Sequence, residues 1–139
     1  MTIRAILKAV YAVLGAVYLF VGVGALLLPT GWLPVPLASE FANFYAVQAP
    51  DSFLSHLTQE FGTAMIALGL VFAWQAWREH PSRSLHWLLT IYLLLDALVH
   101  WVGPQGLIGA PDRALIDSVP PLLMLVLGVL RRWQYDHQQ

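Results

Sequence analysis

"YAVLGAVYLFVGVGALLLP", residues 11–29, runs without a charged side chain up to its closing proline. A hydrocarbon core takes about 20 apolar residues as an α-helix, and with its flank this stretch extends over 6–28, long enough for one crossing. The rest of the chain has the same character. Of its 139 residues 58% are hydrophobic and 11% charged, against roughly 25% charged in a soluble domain, and the mean hydropathy is +0.65. This composition predicts an integral membrane protein.

Three further segments, 52–77, 84–102 and 112–133, have the length and apolar content of a span. Their starts carry local punctuation. Pro50-Asp51-Ser52, Pro81-Ser82 and Pro111-Asp112 place a side-chain oxygen where the first free N–H groups of a helix need an acceptor, and Pro29 ends the first segment. Arg4 and Lys8 before a hydrophobic run also resemble the opening of a secretory signal. The run is longer than the usual core of such a signal and no convincing small-x-small cleavage site follows it before Pro29, so it is read as a retained anchor. The expected fold is all-α, a single-domain up-down bundle of four transmembrane helices covering 1–139.

The basic residues orient this bundle. Arg4 and Lys8 precede the first segment, Arg78 and Arg83 lie between the second and third, and Arg131 and Arg132 end the fourth, leaving only Arg113 elsewhere. Because cytoplasmic loops collect Lys and Arg, both termini and the 78–83 turn are expected in the cytoplasm of a cell with a bacterial-type inner membrane. Trp101, Trp133 and Tyr135 then fall at interfacial depth. In the long outer loop, "LASEFANFYAV" (37–47) spaces Leu37, Phe41, Phe44 and Tyr45 as a short amphipathic helix lying on the membrane surface.

Within the third segment "LLLDALVHW", residues 93–101, sets Asp96 and His100 four residues apart among aliphatic side chains. The second segment carries His56 and Glu60 at the same spacing, which stacks each pair on one helix face. Since the second helix runs inward and the third outward, all four groups are expected at a similar depth beneath the outer surface, on antiparallel neighbours joined by a short turn. An aspartate at a helix centre costs about 2.5–3.5 kcal/mol to insert, so such residues face a bundle interior or a wet cavity. Asp117 in the fourth segment lies at comparable depth, Tyr92 one turn before Asp96 extends the polar track, and Pro120-Pro121 is expected to kink the fourth helix and open a pocket there.

The chemistry open to His56, Glu60, Asp96 and His100 is of three kinds. They suit a proton-exchanging pocket for a quinone or another lipid-soluble ligand, with Tyr92 and Asp117 beside them. The same four suit a divalent metal (Zn, Mn or Fe), although neither HExxH nor ExxH occurs. Or they clasp two helices in a structural scaffold. Interhelical polar bonds in membranes average only about 0.6 kcal/mol, a small return for four ionisable groups, which favours function over a clasp.

Other features exclude more than they assign. A net charge of -1 offers no field for nucleic acid, and the absence of cysteine removes disulfides and thiol chemistry. No phosphate loop, nucleophile elbow or haem-attachment motif occurs, and inverted repeats that would suggest a secondary transporter are not evident. His80, His86 and His137 are expected at solvated or interfacial positions, and Met65 and Met124 as core or lipid-facing filler. Gly15, Gly22 and Gly24 in the first segment, with Gly62, Ala64, Gly69 and Ala73 in the second, predict close helix approach within the chain, with self-association as the other use of such a face.

The order "YAVLGAVYLFVGVGALLLP", a loop, then "QEFGTAMIALGLVFAW" resembles the DoxX-like group of small four-helix membrane proteins. In that group a glycine-bearing first helix precedes a second that opens with Glu-x-Gly and continues to Gly-Leu. Glu60, Gly62, Gly69 and Leu70 match. The resemblance covers the first two helices and implies a quinone-linked role beside membrane oxidoreductase subunits. The Asp96–His100 element and the outer loop lie outside it.

Overall fold

A computed structural model describes residues 2–30, 32, 34, 36, 38, 39, 52–102 and 111–136; of Pro29 and of the helical residues 52–56, 100, 111–114 and 134–136 it describes the backbone alone. The described residues form four α-helices and no strand: α1 (Ile3–Leu27), α2 (Ser52–Trp77), α3 (Arg83–Val102) and α4 (Pro111–Asp136), with a 3-10 turn, Leu28–Thr30, closing α1. These bounds lie within three residues of those expected at every end, because the end signals are local. The surface helix expected over 37–47 lies outside the described residues apart from Ala38 and Ser39. There the Ala38 N–H donates to the Pro34 carbonyl at 2.9 Å.

Two compact units divide the chain, Ala9–Trp77 and a second formed by Met1–Lys8 with Arg78–Gln139. In the first, α1 and α2 meet backbone to backbone through glycines seven residues apart on each helix. A methyl group on Gly22 would lie 2.7 Å from the Gly62 carbonyl oxygen and from the Ile66 nitrogen, and one on Gly15 would lie 3.0 Å from the Ala73 nitrogen. Gly69 faces Leu19 just as closely, at 2.7 Å from its side chain. Backbones approach this closely only where no Cβ intervenes. Phe72 fills the same seam, its ring centroid 5.5 Å from Tyr18 in a stacked pair and 6.2 Å from Tyr11.

In the second unit α3 and α4 form an antiparallel hairpin. Leu89, Leu93 and Ala97 on α3 and Pro121, Met124 and Leu127 on α4 are buried, at the three- and four-residue spacing of a packed helix face. Ser82 starts α3 as its cap. Its hydroxyl accepts from the Leu85 N–H and its carbonyl from the His86 N–H. Pro120 and Pro121 lie inside α4, which continues past them to Asp136 as one helix. Neither proline has an N–H, so the carbonyls of Ile116 and Asp117 lose their usual helical donors.

Among the described residues, two helical stretches are long and apolar enough to cross a membrane, Ile3–Leu27 and Leu57–Trp77.

Candidate functional site

His86 corrects the sequence reading. Expected in the solvated or interfacial zone because it lies near the 78–83 turn, it is instead 1% exposed. The Ser82 cap starts the helix early enough to carry His86 into the hairpin core, where its Nε2 lies 3.1 Å from the Met124 carbonyl oxygen. Gly128 makes the space: a methyl there would stand 2.6 Å from the same nitrogen. Thr90, also buried, donates its hydroxyl back to the His86 carbonyl at 2.8 Å. A sequence signal existed in the run 86, 89, 93, 97, which sets the histidine on the same helical stripe as the buried Leu89, Leu93 and Ala97.

The far end of the hairpin is joined by another polar contact. The Trp101 indole N–H donates to the Ser118 hydroxyl at 2.8 Å. Long side chains in a helix lean toward its N-terminus, so this bond spans from the last turn of α3 to a point on α4 level with the preceding turn. Together with the His86–Met124 contact it sets the register of the hairpin and brings Asp96 and Asp117 to within about a turn of each other along its length. Both aspartates are half-buried. At the opposite end Arg131 donates from Nη2 to the Pro81 carbonyl at 2.7 Å, tying the end of α4 to the turn before α3.

The expected site residues thus fall into two groups. Tyr92, Asp96, His100 and Asp117 belong to the α3–α4 unit, with Tyr92 exposed and the His100 side chain outside the described residues. His56 and Glu60 are on α2 in the other unit; Glu60 is exposed, and the side chain of His56 lies outside the described residues. No cluster of three or more His, Cys, Asp or Glu suited to a metal occurs among the described residues, a set that omits both histidines of the expected quartet. The Trp101–Ser118 pair was not singled out from the sequence, since a serine beside Asp117 carries no long-range signal.

No protein-family model, curated protein or solved structure matches the chain.

Proposed function

We propose that the chain is a multi-pass protein of a bacterial-type inner membrane that crosses it four times. In this reading it acts as a redox-linked accessory subunit, binding a quinone or a similar small lipid-soluble ligand beside Asp96, His100 and Asp117. The observation that carries the membrane reading is apolar surface around a core that is itself apolar but admits a few polar side chains. Gln75, His86 and Thr90 are at most 1% exposed, while Val13, Phe20, Leu88 and Val99 are each more than 60% exposed. A water-soluble domain buries its aliphatic side chains and rarely exposes apolar patches beyond a few hundred Å². Lipid removes that pressure. At 20 and 26 residues, α3 and α4 reach about 30 Å and more along their axes, the thickness of a hydrocarbon core.

The ligand reading is supported by Asp96 and Asp117 at one level of the hairpin, where aliphatic residues would avoid the cost of inserting two carboxyl groups. His56 and Glu60 join the proposed site on the sequence pattern alone, and oxidoreductase partners are proposed only from the resemblance to the DoxX-like group. With a short-chain quinone titrated against purified protein, tryptophan fluorescence should show saturable binding that weakens at least about tenfold in Asp96→Asn, the loss of about one charged hydrogen bond. Elemental analysis supplies the opposing outcome. Stoichiometric zinc, manganese or iron that disappears in His56→Ala and His100→Ala would replace the quinone reading with a metal-dependent membrane enzyme, and absence of quinone binding together with undiminished activity of its membrane complex in Asp96→Asn and Glu60→Gln would leave a scaffold.

A further inference from the structure

Arginines collect at the end of the α3–α4 unit away from Asp96 and Asp117. Arg78 and Arg83 bracket the turn, and Arg131 and Arg132 end α4; the Arg131–Pro81 bond of 2.7 Å brings these two stretches together. Arg78, Arg83 and Arg132 are exposed. Arg4 and Lys8 belong to the same compact unit, which holds all seven of the chain's basic residues, Arg113 being at the other end of α4. We propose that this end is a binding surface for the phosphodiester headgroups of anionic phospholipids, with Arg78, Arg83 and Arg132 as the contacting groups and Arg131 holding the turn in place.

The occupant is identified by three features. Guanidinium groups present paired donors that match phosphate oxygens. Trp77, 89% exposed, directly precedes Arg78, and Trp133, 59% exposed, directly follows Arg132; aromatic rings beside basic residues mark the headgroup level of a bilayer. Leu130 and Val129 are exposed just before the arginine pair, so an anion seated there borders an apolar surface, as a lipid headgroup does and a nucleic acid does not. The overall charge of -1 argues equally against a polyanion drawn from solution.

This inference rests on the membrane reading, and one experiment separates the two. The full chain is reconstituted in vesicles of phosphatidylcholine and phosphatidylglycerol, with bromine on the acyl chains of one lipid or the other, and quenching of tryptophan fluorescence gives the relative affinity. Phosphatidylglycerol should be preferred by roughly three- to tenfold at low salt, and salt near 0.5 M should erase most of that preference because the Debye length shrinks to about 4 Å. The triple variant Arg78→Gln, Arg83→Gln, Arg132→Gln, which leaves the Arg131–Pro81 bond intact, should bind both lipids alike. Equal quenching by the two lipids with the native sequence, or a preference that survives in the triple variant, overturns the proposal and leaves the membrane reading standing. Absence of quenching by either lipid overturns both.

Discussion

At the residue scale the molecule depends on positions where a side chain is missing. Gly22 and Gly62 face each other so closely that a methyl on either would stand 2.7 Å from the other's carbonyl oxygen. Gly22→Ala should therefore destabilise the α1–α2 unit by about 1–3 kcal/mol, the usual range for overpacking, measured by unfolding in mild detergent. Ala12→Leu on the exposed face of α1 should stay within about 0.5 kcal/mol. Gly128 serves His86 in the same way. Gly128→Ala drives a methyl into the imidazole, so its cost should fall sharply in a His86→Ala background, and a double-mutant cycle should return a coupling of about 0.5–3 kcal/mol. A coupling near zero would mean that His86 does not occupy the space opposite Gly128. The glycine seam of α1 and α2 was legible in the sequence because small residues recur at seven-residue spacing. The His86 pocket was not, because it depends on which residue of α4 comes opposite, and no local pattern encodes that.

At the scale of the element, the helices are individually legible and their pairings are not. Ser82, Pro81 and Pro111 act on the next few peptide groups only, which is why they locate the starts of α3 and α4 within one residue. The register of the α3–α4 hairpin instead comes from side chains far apart in sequence, His86 with Met124 and Trp101 with Ser118. Trp101→Phe keeps most of the ring and removes the indole donor, so it should lower stability by about 0.6 kcal/mol and by no more than about 1.7 kcal/mol, the range found for interhelical polar bonds in membranes. Ser118→Ala should cost the same and add nothing to Trp101→Phe, a test that isolates the hydrogen bond from the packing. Pro120 and Pro121 remove two backbone donors, and α4 continues through them with Pro121 buried.

At the scale of the whole molecule, the four-span reading makes a prediction that the cysteine-free chain is suited to test. Single cysteines at Thr2, His80 and Gln139 should resist a membrane-impermeant maleimide in intact cells and react after lysis, while one at Pro104 should react from outside. Labelling of position 80 in intact cells would invert the topology and with it the outward placing of Asp96 and Asp117. Composition, the four helices and their ends were written in the sequence itself, since hydropathy and capping act over a few residues and need no partner. The candidate quartet was legible only as two i, i+4 pairs; the tertiary structure added the levels of Asp96 and Asp117 on one hairpin. It alone decided that His86 lies in the core, that Trp101 reaches Ser118 and that Arg131 closes the turn at Pro81. Those outcomes depend on the distance between residues 17 to 50 positions apart in the chain, which only the packing of one helix against another sets.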